Sequence, residues 1–183
     1  KSIYTPEQFK ERVPISDYDD IKHYIDRMIK GEQNILWPSD IKWFAKSSGT
    51  TSDRSKFIPV STEALEECHF QGGKDMLSIF CHNRPENKIF NGKTLVIGGS
   101  SQINSFNTES YYGDLSSIII RNLPSWVENR RTPSLEITLN PNFEDKIEQI
   151  AQITSKEDIT NLAGVPTWNI VLAKRVLEIT GKQ

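Results

Sequence analysis

Apolar residues recur at Ile21, Tyr24, Ile25, Met28 and Ile29, and this i, i+3, i+4, i+7, i+8 stripe predicts a helix from a Ser16 cap to about Lys30, stopped by Gly31. The period then shortens. Ile41, Trp43, Phe44 and Ala45 make one short apolar run, and Phe57, Ile58 and Val60, interrupted by Pro59, make another, so two strands are predicted with a polar loop between them. Ser61 is placed to cap a second helix from Thr62 towards Phe80, with Gly72-Gly73 expected to bend or divide it. Thr94 to Ile97 reads as a buried strand ending in Gly98-Gly99. Ser110 to Asn122 is expected to turn helical around Leu115, Ile118 and Ile119 before Pro124 stops it. Phe143, Ile147 and Ile150 share one face of a helix over Phe143 to Ile153. The most regular unit comes last: a strand over Ile159 to Ala163, a Gly164-Val165 turn, Pro166 at the first helical position, and a stripe of Trp168, Val171, Leu172, Val176 and Ile179 closed by Gly181. Strands alternating with helices predict an α/β fold, a mixed sheet with packed helices.

Composition fits a single globular domain. The 183 residues are 36% hydrophobic and 25% charged, mean hydropathy is −0.50, and a chain of this size buries roughly 70% of the surface it exposes when unfolded. No apolar run approaches the ~20 residues that span a bilayer. The start at Lys1 shows neither a signal peptide nor an initiator Met, and reads as a processed or trimmed chain. A net charge of −2 and a pI near 6.0 argue against a nucleic-acid partner, which favours a basic face. Cys68 and Cys81 have no metal-ligand spacing and are expected to be reduced, as in cytoplasm; His23, His69 and His82 form no His-x-x-x-His pair, and no metal ligand is assigned.

The chemistry concentrates in residues 47–56, Ser-Ser-Gly-Thr-Thr-Ser-Asp-Arg-Ser-Lys, the loop between the first two predicted strands. Gly49 lets the backbone approach an anion, Ser47, Ser48, Thr50 and Thr51 offer neutral donors, and Lys56 adds a compact charge, a combination suited to phosphate. Clusters of this composition also make ordinary solvated turns; the flanking strands favour a binding loop. It lacks the second glycine and Lys-Ser/Thr ending of a G-x-x-x-x-G-K-[ST] loop. Gly-Gly-Ser-Ser-Gln after the Thr94 to Ile97 strand is either a second ligand loop or a tight strand exit. The N-terminal end of the last helix offers backbone N–H groups to a carboxylate.

Lys46 to Ser61, KSSGTTSDRSKFIPVS, resembles the first nucleotide-binding motif of the adenylate-forming superfamily, and in particular of its auxin-responsive acyl-acid amido synthetases. KTLVIGGSSQIN (Lys93 to Asn104) and NLAGVPTWNIVLAKRVLEITGK (Asn161 to Lys182) resemble bacterial members of that branch, so the likeness runs from about Trp37 onwards. Ser52 and Asp53 stand where glycine is common in the superfamily, and an acidic Asp53 beside polyphosphate is unfavourable unless it faces away or meets a cation.

The resemblance implies that residues 1–183 are one partial N-terminal domain, for nucleotide and acyl binding, of a longer enzyme whose C-terminal remainder is absent. That enzyme would use ATP and Mg²⁺ to adenylate a small carboxylic acid and pass it to an amine or amino acid. Ser47, Ser48, Gly49, Thr50, Thr51 and Lys56 would hold the phosphates, with Val165, Thr167 and Trp168 lining the acyl pocket; no catalytic base is assigned. The 183-residue chain alone is expected to be inactive and open to self-association. Two rivals stand beside this: a ligase that makes acyl-coenzyme A, which shares the first motif, and a non-catalytic remnant or interaction domain.

Overall fold

The computed structural model describes residues 2–47, 55–98 and 103–181. Two helices open the chain, α1 (Pro6–Arg12) and α2 (Tyr18–Ile29), and Asp17 rather than Ser16 starts the second. Its carboxylate accepts from the N–H groups of Asp19 and Asp20, while the Asp20 carboxylate accepts from the N–H of Asp17, so a reciprocal capping box outcompetes the lone serine. The chain continues through β1 (Trp43–Lys46), β2 (Phe57–Val60), a π-helical segment (Ala64–Phe70), α3 (Gln71–Asn83), β3 (Lys93–Ile97), β4 (Asn104–Ser105) and β5 (Tyr111–Gly113). It ends with α4 (Leu115–Arg121), α5 (Ser125–Glu128), β6 (Arg131–Thr132), α6 (Leu135–Thr138), α7 (Phe143–Thr154), β7 (Ile159–Gly164) and α8 (Pro166–Thr180).

The expected mixed sheet is present in the order β2-β1-β5-β4, with β1 antiparallel to β2 and parallel to β5. An all-parallel sheet, β6-β3-β7, accompanies it. Pro59 is tolerated because β2 is an edge strand, where its missing N–H breaks no ladder bond. Two expectations change. Gly72 and Gly73 lie inside an unbroken α3, and the irregularity falls just ahead of them in the π-helical turns. The segment expected to turn helical around Leu115 does so at Leu115, but a strand not foreseen precedes it, because Tyr111 and Tyr112 pair with Trp43 and Phe44, and the Tyr112 ring lies 4.3 Å from Phe106 and 5.3 Å from Phe57 between centroids. Aromatic packing there outweighs local helical preference.

Three apolar clusters hold these layers. Ile25 and Met28 of α2 pack on Ile41 and Phe44, Ala45 and Val60 pack with Leu65 and Ile118, and Leu95 and Ile97 of β3 pack with Ile147, Ile150 and Ala151 of α7 and Leu172 of α8. The last helix starts with Pro166 and ends at Gly181 in the left-handed conformation (φ 64°), as its sequence predicts. Fixing each side chain of these clusters in a close-packed interior is what sets the positions of the strand ends.

Candidate phosphate loop and ligand cavity

The strand pair β1–β2 brings the ends of the hydroxyl-rich segment together. The N–H of Ser47 donates to the carbonyl of Lys56 at 2.8 Å, and the N–H of Lys56 donates to Ser47 Oγ at 2.9 Å. The serine hydroxyl thus accepts the second bond of this terminal rung and keeps its own proton to donate elsewhere. Lys56 is half-buried, with Nζ 5.2 Å from the centroid of the Tyr18 ring. Ser48, Gly49, Thr50, Thr51, Ser52 and Asp53 lie outside the described residues, as does Gly-Ser-Ser-Gln after Gly98.

The parallel sheet gathers a second set of groups at the carboxyl ends of its strands, the edge at which open parallel sheets hold ligands. Strand β7 ends at Gly164, whose place beside β3 leaves little room for a side chain, since a Cβ there would lie 3.0 Å from the carbonyl oxygen of Ile97. Val165, 44% exposed, and Thr167, also exposed, follow at the start of α8. Trp168 behaves differently. Its half-buried ring packs against the cluster of Leu95, Ile97, Ile147 and Leu172, with the Phe143 ring 5.7 Å away. The structure therefore brings Val165 and Thr167 to the sheet's open end and turns Trp168 into the core beneath them.

Lys146 of α7 reaches the same edge. Its side chain is buried, with the residue 2% exposed, and Nζ donates to the carbonyl oxygen of Gly98 at the exit of β3, at 3.3 Å. Burial pushes its pKa below the ordinary lysine value. The unfolded chain then holds this proton to higher pH than the folded one, so raising the pH through the interval between the two values favours the folded state. We expect the melting temperature to rise relative to that of Lys146→Met, in which this contribution is absent, as the pH climbs towards the ordinary lysine value. Parallel pH profiles for the two proteins would contradict it.

The other face of the parallel sheet carries a cavity of about 530 Å³ between β3, α3 and α5, within the range of small-molecule sites. Its lining is mostly apolar, including Phe70, Leu77, Phe90, Val96 and Trp126, with Lys74 and Arg130 among the polar contributors. Thr94 and Val96 line this cavity, whereas the alternate residues Leu95 and Ile97 face the α7–α8 core that holds Trp168. Arg131 closes one wall. Its guanidinium is bonded through Nε and Nη2 to Glu128 at 2.5 and 2.7 Å, and through Nη1 to Pro133 O and Thr138 Oγ1 at 3.1 and 3.0 Å. Sequence reasoning missed this cavity because its walls come from segments far apart in the chain; the one local signal is the alternation along β3.

Cys68 and Cys81 are free thiols. Among the described residues, no three His, Cys, Asp or Glu side chains come together to hold a metal ion, and no helix is long and apolar enough to cross a membrane.

A mixed ladder and a parallel ladder, each with packed helices, make this an α/β domain. The chain belongs to the GH3 family: residues 1–183 match the model of the GH3 family N-terminal domain. It is 40% identical over 62 residues, 33% of this chain and 10% of the other, to the indole-3-acetic acid-amido synthetase GH3.15 of Arabidopsis thaliana. It is 34% identical over 91 residues, 49% of this chain and 15% of the other, to the jasmonoyl–L-amino acid synthetase JAR6 of Nicotiana attenuata. The solved AtGH3.15 acyl acid amido synthetase in complex with 2,4-DB has the same fold, with a TM-score of 0.73 at 19% identity over 95% of this chain and 31% of that one. The chain thus spans about a third of the solved synthetase.

Proposed function

We propose that residues 1–183 are the nucleotide- and acyl-binding part of an ATP-dependent acyl-acid amido synthetase. The observation that carries this reading is family membership over residues 1–183; the tied-off hydroxyl loop supports it. In the first half-reaction, a carboxylate oxygen of the acid attacks the α-phosphorus of ATP and the bond to pyrophosphate breaks. In the second, an amine nitrogen attacks the acyl carbon of the adenylate, losing a proton as AMP leaves. Ser47, Ser48, Gly49, Thr50, Thr51 and Lys56 stabilise the charge that moves onto the departing pyrophosphate and act as neither base nor nucleophile. Mg²⁺ would be held by the hard phosphate oxygens of the nucleotide and would supply further charge stabilisation there. Free Cys68 and Cys81 fit a reducing, cytoplasmic setting.

The acid's apolar body fits the cavity between α3 and β3, whose lining matches the aryl and alkyl acids named for the relatives. Val165 and Thr167 frame the turn at the sheet's carboxyl end, and Trp168 holds that turn from the core side. In the full-length enzyme, acid-dependent exchange of pyrophosphate into ATP is the test, with amino acids and coenzyme A compared as acyl acceptors. Val96→Phe, which narrows the cavity, is expected to raise the KM for bulky acids and leave that for ATP little changed. Trp168→Ala is expected to lower the melting temperature with acid preference kept. Altered preference in Trp168→Ala with none in Val96→Phe would move the acid to the other face of the sheet, and acid-independent exchange would sink the reading.

A further inference from the structure

Tyr18 is the first residue of α2, a helix whose start is fixed by the Asp17–Asp20 box and whose Ile25 and Met28 are buried in the core. Its position is therefore set by the fold and not by the loop. On β2, Phe57 pairs with Lys46 one step beyond the Ser47–Lys56 rung, and alternation along an antiparallel pair turns its N–H and C=O away from β1. Tyr18 Oη meets both groups, accepting from the Phe57 N–H at 3.1 Å and donating to the Phe57 carbonyl at 3.3 Å. One hydroxyl thereby seals the open edge of the strand where the loop ends. The same side chain presents its ring to the neighbouring Lys56, with Nζ 5.2 Å from the centroid, within cation–π range.

We propose that Tyr18 is a positioning residue for Lys56, its ring face holding the ammonium group ready for the nucleotide's phosphates. This rests on the phosphate-loop reading above. An aromatic face suits the task better than a carboxylate would. Aspartate or glutamate here would hold the ammonium as firmly but would repel incoming phosphate and neutralise the charge the loop supplies. The ring attracts the cation through its quadrupole, carries no net charge, and leaves the three N–H donors of the lysine for phosphate oxygens.

A double-mutant cycle in the full-length enzyme tests this, reading the KM for ATP, the KM for the acid, kcat and melting temperature. Tyr18→Leu is expected to raise the KM for ATP about three- to tenfold, with kcat and the acid's KM moved less. Tyr18→Phe keeps the ring and is expected to stay within about twofold of wild type. In a Lys56→Met background, Tyr18→Leu should add nothing further to the KM for ATP. Multiplying effects of the two substitutions, or a fall in kcat and melting temperature with the KM for ATP unmoved, would reduce Tyr18 to a packing residue and overturn the proposal. Failure of phenylalanine to rescue would do the same. If Lys56→Met by itself leaves the KM for ATP unchanged, the phosphate-loop reading fails and takes the proposal with it; a strong Lys56→Met effect beside a silent Tyr18→Leu rejects the tyrosine's role alone.

Discussion

Replacing Thr50 and Thr51 together with alanine is expected to slow acid-dependent pyrophosphate exchange by the full-length enzyme at least tenfold while the fold survives. The two hydroxyls are the neutral donors that directly follow the loop's glycine, and losing a single preorganised donor to a developing oxyanion costs about 2.7–4 kcal/mol of barrier. Stability should change little, because the ends of the segment are joined by bonds these threonines do not make, between the Ser47 and Lys56 backbones and Ser47 Oγ. Equal exchange rates in mutant and wild type would reduce the segment to a solvated turn. A lost rate accompanied by an early melt would place the threonines in the fold instead.

Glu128→Gln is expected to destabilise the protein by about 2–4 kcal/mol, below the full cost of orphaning a wholly buried charge because the carboxylate side of the pair is wet. The Arg131 side chain is 1% exposed and that of Glu128 is 41% exposed. Removing the carboxylate's charge leaves the guanidinium buried with only Pro133 O, Thr138 Oγ1 and a neutral amide to meet it. Arg131→Met is expected to cost less, about 1–3 kcal/mol, since Glu128 can turn to water and only the two buried acceptors lose a partner. The order of the two is the sharper check. Thermal melts showing Arg131→Met as the worse variant would mean that packing of the arginine stem, and not its uncompensated charge, governs this wall of the cavity.

Much of the frame was legible because it is locally encoded. The strands around the hydroxyl loop, the helix expected over Phe143 to Ile153 and the Gly-Val-Pro turn into the last helix follow from period, caps and turn residues, and the structure reproduces them to within two residues. What escaped is what tertiary contact decides. The two-residue strands β4 and β6 have no period to detect, and the Tyr111–Gly113 strand exists because its partners lie far back in the chain at Trp43 to Ala45. Of the site, the sequence marked the loop, whose chemistry is contiguous. It did not mark Tyr18 beneath the loop, or the cavity, since each is made by residues that meet only after folding. Trp168 illustrates the limit: helical spacing placed it on an apolar stripe, yet spacing alone does not say which side of the sheet that stripe covers.

The strands form two separate ladders. The hydroxyl loop hangs from β2-β1-β5-β4, packed on α2, while the cavity and the α8 turn belong to β6-β3-β7, packed on α7 and α8. Helix α4 bridges them, with Ile118 buried against Ala45 and Val60, and Ile119 on the cavity wall. Because no strand of one ladder pairs with a strand of the other among the described residues, local opening of the loop-bearing ladder is expected to leave the parallel ladder's strand bonds in place. On the proposed function, the nucleotide and the acid would be held by parts of the domain that can open one at a time.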